Sequence, residues 1–203
     1  MSGRQRTYSP AGEGETNMTK DYTFGDALPV APLRIAALNS CQELGKKVDD
    51  YIVQFRKNDY NQLLKTHDST LNIRCYDRDS YLVECECPRF GSGEGKGVIT
   101  SSVRGSDLFV MVDVTNHSLT YNVCGNVNHM SPDDHFADLK RIISTAAPSA
   151  HRVNVIMPFL YESRQHKRTK RESLDCAYAL EELVNMGIDS IITFDAHDPR
   201  VQN

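Results

Sequence analysis

The 203-residue chain has no uninterrupted apolar run of about 18 residues, so no membrane-spanning helix is expected. Its N-terminus lacks the apolar core of a secretory signal, which points to a cytoplasmic chain. There is no surplus of positive charge: 23 Lys and Arg stand against 27 Asp and Glu, for a net charge of −4. No global basic field therefore advertises nucleic acid as a partner. Metal-site cysteine spacing is lacking too. Cys41, Cys75, Cys85, Cys87, Cys124 and Cys176 are scattered, and Cys85-Glu86-Cys87 has no second pair at zinc-site distance. Reduced, mostly buried thiols are expected. The glycine-rich stretch Pro88–Ile99, "PRFGSGEGKGVI", lacks the spacing and terminal Lys-Ser/Thr of a phosphate-binding P-loop and reads as a hairpin tip.

What the chain does have is alternation of strand and helix patterns. Residues 1–30 are rich in Gly, Ser, Thr and charge and poor in aliphatics, which predicts a disordered tail ahead of one domain over 31–203. "LRIAAL" from Leu33 is a short apolar run, followed by Asn39-Ser40 as a helix cap. Cys41, Leu44, Val48, Ile52 and Phe55 then recur at helical spacing, and residues 57–70 read as a polar loop. "NIRCY" and "SYLVECECP" read as strands, with a hairpin around Asp77-Arg78-Asp79 as one arrangement. "DLFVMVDV" from Asp107 is apolar on both faces, as in a parallel strand covered by helices. Ser131-Pro132-Asp133-Asp134 starts a helix with Phe136, Leu139, Ile143 and Ala146 inward. "RVNVIMP" is the next strand. A helix over about Ser173–Met186 follows, with Leu174, Ala177, Leu180 and Val184 inward and Gly187 at its end; "DSIITFD" is the last strand. This order predicts an α/β fold, a parallel sheet flanked by helices.

Ligands in such sheets gather at the carboxyl ends of strands. Two loops belong there. One, after Pro158, carries Arg164, His166, Lys167, Arg168, Lys170 and Arg171 ahead of a helix N-terminus; it is either a solvated basic face or a polyphosphate site. The other carries Asp195 and His197, two apart and so on one side of extended backbone. They are either a capping Asp with a hydrogen-bonded His, or ligands of Mg²⁺ or Mn²⁺. Asp113, Asn116, His117 and His129 are further polar residues near a strand end.

Four segments, in order, resemble the N-terminal half of ribose-phosphate diphosphokinase, the phosphoribosyl-diphosphate synthetase family. They are "NSCQELGKKVDDYI"; "RFGSGE" with "SSVRGSDLFVMVDVT"; "VIMPFLYESRQHKR"; and "IITFDAHDPRVQ". The resemblance runs from about Arg34 to Gln202. It implies a phosphoribosyltransferase-like N-terminal domain with a β-hairpin excursion. It also implies transfer of the pyrophosphoryl group of Mg-ATP to ribose 5-phosphate, and assembly as a homo-oligomer, dimer to hexamer. By position, Phe90, Ser92 and Glu94 form the turn that meets adenine, from a neighbouring subunit. Arg164 and Gln165 hold ATP, with Arg168 in the same cation-rich loop. His197 lies at the Mg²⁺, supported by Asp195.

The chain departs from the family at Ser92 and His166, where the family has Asp, in an insertion around residues 56–72, and between Asn116 and Pro132. These mark a divergent branch. Nor does any stretch match the family's acidic, glycine-rich ribose-phosphate loop. The chain therefore reads as the ATP-side half, inactive alone. The alternative is a catalytically silent relative that regulates or joins an oligomer.

Overall fold

A four-stranded parallel sheet organises the chain, in the order β1 (Leu33–Ala37), β4 (Asp107–Met111), β7 (Arg152–Ile156), β8 (Ser190–Ile192). The computed structural model describes residues 29–66 and 78–198. The expected tail, except Pro29 and Val30, and the expected strand Asn72–Tyr76 lie outside them. Ile35 pairs with Asp107's strand at Phe109, and Val110 with Val155, so the three central strands run in register. On the outer side of β1, Leu82 makes a single parallel bridge to Ile35. Counting that segment, the strands stand in the doubly wound order 2-1-3-4-5.

The handedness of the crossovers then fixes where the helices go. The connection from β1 to the Leu82 segment moves one way across the sheet and carries α1 (Gln42–Thr66) onto one face. The connections from β4 to β7 and on to β8 move the other way. They carry α2 (Pro132–Ala146) and α3 (Asp175–Asn185) onto the opposite face. Alternate residues of the strands accordingly serve different helices. Ile35, Ala37 and Met111 pack with Val48, Ile52 and Val53 of α1. Ala36, Leu108, Val110 and Val155 pack with Leu139, Ile142, Ile143 and Leu183 of α2 and α3. Full burial of each large side chain of this kind contributes about 1.5–3 kcal/mol.

Two antiparallel hairpins stand off the sheet. β2 (Cys85–Glu86) pairs with β3 (Val98–Ile99), and β5 (Thr120–Val123) with β6 (Asn126–His129). The first confirms Pro88–Ile99 as a hairpin tip. The second occupies the departure between Asn116 and Pro132.

Three expectations are corrected. α1 does not end before residue 57; it continues to Thr66, because no Gly or Pro interrupts the chain between Gly45 and Pro88. Its buried face also differs in part from the expected one: Leu44 is 39% and Phe55 56% exposed. Cys41, Val48 and Ile52 do pack inward as expected, but the most buried positions of the helix are Gly45 and Asp49. A Cβ at Gly45 would fall 2.4 Å from the Ala37 Cβ, so glycine is what lets the helix approach β1. Second, "SYLVECECP" is not one strand. The Asp49 carboxylate accepts from the Tyr81 N–H and the Ser80 hydroxyl, both at 2.7 Å, and so ties the segment to α1 before it can pair at length. Third, α3 starts at Asp175 and buries Cys176, Ala179 and Leu183; of the expected inward residues Leu180 packs against the core, but Ala177 is exposed and Val184 is 62% exposed. This helix is apolar on two stripes, and the sheet takes the other one.

The start of α2 is as expected. Ser131 forms a capping box: the Asp134 N–H donates to the Ser131 hydroxyl oxygen at 3.1 Å, and the Ser131 N–H to the Asp134 carboxylate at 2.8 Å. Phe136, Leu139, Ile143 and Ala146 are all buried. So is Asp138, which no apolar pattern includes. Its carboxylate receives Arg89 at 2.9 Å and Arg141 at 2.6 Å. Burial pushes the Asp138 carboxyl above its usual range, against the pull of both guanidiniums.

Two outcomes follow from this packing. Ser131→Ala is expected to lower unfolding free energy by ~1 kcal/mol in urea denaturation at pH 7. Burial pushes the Asp134 carboxyl up, but hydrogen bonds from Ser131 and Tyr121 outweigh it and hold the group below its ordinary 3.8. A depressed carboxyl stabilises the fold above its unfolded value and loses that contribution as pH falls through the folded one. The stability gap between the native chain and Asp134→Ala should therefore close in acid below pH 3.8; a gap independent of pH would refute the cap. The second outcome concerns thiols. Burial, then Asp113, pushes Cys41 up to about 11; burial pushes Cys85 up to about 11 and, with Asp138, Cys87 up to about 12. Cys124 is exposed. Brief alkylation of the folded chain, read by peptide mass spectrometry, should mark Cys124 and spare Cys41, Cys85, Cys87 and Cys176 until denaturant is added.

Candidate nucleotide site at the carboxyl rim of the sheet

The two loops flagged in the sequence leave adjacent strands, β7 and β8, at the same end of the sheet. Their first residues continue the parallel pairing. Phe159 bridges Asp195, the Leu160 N–H donates to the Asp195 carbonyl at 3.0 Å, and the Asp195 N–H donates to the Pro158 carbonyl at 2.9 Å. This backbone zip carries both loops to one place. Beyond it, the His166 Nε2 lies 3.4 Å from the Asp198 carboxylate, and the His166 and His197 rings stand 5.8 Å apart, centroid to centroid.

The side chains on this rim divide into those that shape it and those that face out. Gln165 shapes it: its Nε2 donates to the Ser173 carbonyl at 2.8 Å and to that of Lys167 at 3.2 Å, folding the basic loop back on itself. Arg168 is aimed by Tyr178 of α3, whose hydroxyl accepts its Nη2 at 2.6 Å while the guanidinium stands 5.8 Å from the ring centre. Arg164, Asp195 and His197 are exposed. Tyr161 stacks on Phe136 of α2 at 4.3 Å and donates its hydroxyl to Asp133 at 2.7 Å, fastening the base of the loop to α2. Burial, then that hydrogen bond to Asp133, pushes the Tyr161 phenol well above its usual range. The hydroxyl of Ser163, fully buried, has no hydrogen-bond partner among the described residues.

A carboxylate, an imidazole and the nearby Asp198 offer few donors, and among the described residues no group of three or more His, Cys, Asp and Glu is placed to hold a metal ion. That fits Mg²⁺, which keeps several waters and is held by one or two side chains plus substrate phosphates.

The turn Phe90–Glu94 stands elsewhere, at the tip of the β2–β3 hairpin. The Phe90 N–H donates to the Glu94 carbonyl at 2.7 Å, and the Ser92 hydroxyl to the Glu94 carboxylate at 2.8 Å. Phe90 is 53% exposed. The neighbour of this turn is the β5–β6 hairpin. The Cys124 N–H donates to the Gly91 carbonyl at 3.1 Å, and a Cβ on Gly93 (φ +92°) would meet Val123 at 2.9 Å. No described hydrogen bond or ion pair joins the turn to the loops after β7 and β8. Of the remaining polar candidates, Asp113 accepts from Thr115, Asn116 from Ser118, and His129 Nδ1 lies 3.1 Å from the His117 carbonyl.

Sequence reasoning missed the parts that orient others: His166 with Asp198, Tyr178 with Arg168, and the Arg89–Asp138–Arg141 cluster beneath the turn. Only the last left a signal, a carboxylate at a core position of an amphipathic helix.

Comparison with known proteins places this architecture. The family profile described as the N-terminal domain of ribose phosphate pyrophosphokinase matches residues 33–187. Ribose-phosphate pyrophosphokinase B of Dictyostelium discoideum is 28% identical over 116 residues, covering 56% of this chain and 31% of that protein. Ribose-phosphate pyrophosphokinase of Chlorobaculum tepidum is 25% identical over 173 residues, covering 84% of this chain and 41% of that protein. The chain thus spans between about a third and two fifths of the length of these relatives. The crystal structure of phosphoribosylpyrophosphate synthetase from Mycobacterium smegmatis superposes with a TM-score of 0.61 at 20% identity, over 84% of this chain and 45% of that one, a likeness of fold. With the profile matched over most of its length, from the first strand of the sheet to the end of the last helix, the chain belongs to the family of ribose phosphate pyrophosphokinase N-terminal domains.

Proposed function

We propose that the chain supplies the ATP side of a ribose-phosphate pyrophosphokinase. Arg164 and Arg168 hold the phosphates, Gln165 shapes the loop around them, and Asp195 and His197 take up the Mg²⁺ that travels with ATP. Bound there, the metal neutralises charge on the phosphate oxygens. The observation that carries the reading is the meeting of the cation-rich loop and the acid–imidazole pair on one rim, through the pairing of Phe159 with Asp195.

Phosphoryl-type transfer is chiefly positioning and charge neutralisation, so cations on a rigid rim suit it and no protein nucleophile is required. In the reaction the 1-hydroxyl oxygen of ribose 5-phosphate bonds to the β-phosphorus, the bond from that phosphorus to the bridging oxygen of AMP breaks, and the hydroxyl proton is released. Arg164 is the residue assigned to the phosphates: it is exposed, on the loop paired at its base with that of Asp195 and His197, and guanidinium matches phosphate in bidentate fashion. Phe90, Ser92 and Glu94 stand apart from this rim, which suits a turn that serves the adenine of a neighbouring subunit in a cytoplasmic homo-oligomer, from dimer to hexamer. Ser92 favours a second reading, a silent regulatory subunit, because its hydroxyl occupies the Glu94 carboxylate that would otherwise meet the base.

Calorimetric titration with Mg-ATP tests the first reading. Arg164→Ala should weaken binding by ~1.5–3 kcal/mol, the value of a hydrogen bond to a charged group; unchanged affinity removes Arg164 from the site. A coupled assay for AMP from ATP and ribose 5-phosphate should give no turnover with these 203 residues alone, since none of them matches the ribose-phosphate loop. Measurable turnover would mean that the transfer machinery is already complete here.

A further inference from the structure

The order of the strands marks a second place where a ligand belongs. In a doubly wound sheet of order 2-1-3-4-5, the crossovers leave in opposite directions from the first and third strands, and a crevice opens between their carboxyl ends. Here those strands are β1 and β4, not the β7 and β8 that carry the candidate nucleotide rim. A cavity of about 270 Å³ lies at that spot, between the residues that leave β1 (Leu38, Asn39, Ser40), the start of α2 and the two hairpins. It abuts a wider cleft of about 550 Å³ that shares Asn39, Ser40 and Leu119 with it and reaches Asp113 and Asn116 beyond β4.

The walls of the cavity define what fits. Leu38, Leu119, Met130, Ile142 and the Tyr121 ring give it apolar sides. Polar groups are set into them at a cost in desolvation: Ser40, His135 and Asp138 are all more than nine-tenths buried. His135 Nε2 lies 2.7 Å from the Asn116 carbonyl, which only accepts, so that nitrogen carries a proton. The exposed Glu86 lines the cavity, as does Asn39, whose Oδ1 already accepts from Gln42 Nε2 at 2.9 Å and whose amide N–H groups can donate. The charges exclude a phosphate. Across cavity and cleft Arg89 and Asp138 offset each other, which leaves the carboxylates Glu43, Glu86 and Asp113 against Lys47. The thiols of Cys85 and Cys87, pushed up by burial to about 11 and about 12, form a neutral stretch of wall.

We infer that the crevice between β1 and β4 is a second binding site, for an uncharged nitrogen heterocycle: a nucleobase or a nucleoside without phosphate. The apolar walls would take the ring faces, and Glu86, Asn39 and the thiols are the polar groups left for its edge. The volume suits a ligand of this size, near the lower end of small-molecule pockets. This site is independent of the nucleotide reading of the rim, and either can fail alone.

The test is titration of the chain with adenosine, guanosine, cytidine and uridine, by calorimetry and thermal shift, in three variants. Thr120→Trp fills the mouth from an exposed position on β5, Glu86→Gln removes the exposed carboxylate, and Arg164→Ala disables the rim. At least one nucleoside should bind and raise the melting temperature. Its dissociation constant should rise about tenfold or more in Thr120→Trp and in Glu86→Gln, and stay unchanged in Arg164→Ala. The proposal is overturned if no nucleoside binds, if neither mouth variant weakens binding, or if Arg164→Ala abolishes it, which would place the ligand on the rim. A 5′-monophosphate that binds the cavity as tightly as its nucleoside also overturns it, because the carboxylates should repel the phosphate. Glu86→Gln alters one exposed group and keeps the test valid if the tryptophan variant fails to fold.

Discussion

Three backbone hydrogen bonds, between Pro158–Leu160 and Phe194–Asp195, hold the candidate site in being. They extend the β7–β8 pairing past the end of the regular strands. Two loops that are 30-odd residues apart in sequence therefore leave the sheet side by side. Everything on the rim inherits its position from that zip: the approach of His166 to Asp198, the approach of the two imidazoles, and the placing of the loop that carries the exposed Arg164. A parallel sheet is well suited to this, because its strands all deliver their loops at one end. The side-chain contacts are weaker and adjustable; the backbone pairing is what makes them available.

The second constraint is the buried charge beneath the β2–β3 hairpin. Asp138 sits on the core face of α2 with Arg89 and Arg141 against it, and Arg89 is also 5.0 Å from the centre of the Tyr121 ring. Replacing such a cluster by apolar residues can be neutral for stability, whereas removing one partner strands the others. Its use here is orientation. One carboxylate, with Arg89 against it, ties the hairpin that presents Phe90 and the hairpin that backs it to α2, which is itself anchored in the core.

Patterning disclosed the sheet and the helix count because buried parallel strands are apolar on both faces and α2 follows its stripe faithfully. It placed the inner faces of α1 and α3 only in part, at Val48, Ile52 and Leu180, for physical reasons. Gly45 and Asp49, the residues of α1 nearest the sheet, are not apolar: one works by having no side chain, the other by accepting hydrogen bonds from Ser80 and Tyr81. α3 is apolar on two sides, and only tertiary packing chooses between them. On the rim, the residue types were legible, Arg164, Arg168, Asp195 and His197 among them, because runs of charge after apolar strands are visible in one dimension. Their supports were not. Tyr178 lies ten residues from Arg168 and Asp198 thirty-two from His166, and nothing in local spacing connects them. The β1–β4 cavity was invisible for the same reason, since its walls come from five separate stretches of chain.

The contact between Gly45 and Ala37 restricts how this sequence can drift. With only 2.4 Å available for a new Cβ, a methyl group at position 45 must be accompanied by the loss of one at position 37, or the first helix lifts from the sheet and takes Asp49 with it. The two sites are thus bound to vary as a pair, and descendants of this chain would be expected to keep their combined volume constant while the exposed stripe around Tyr51 and Phe55 diversifies freely.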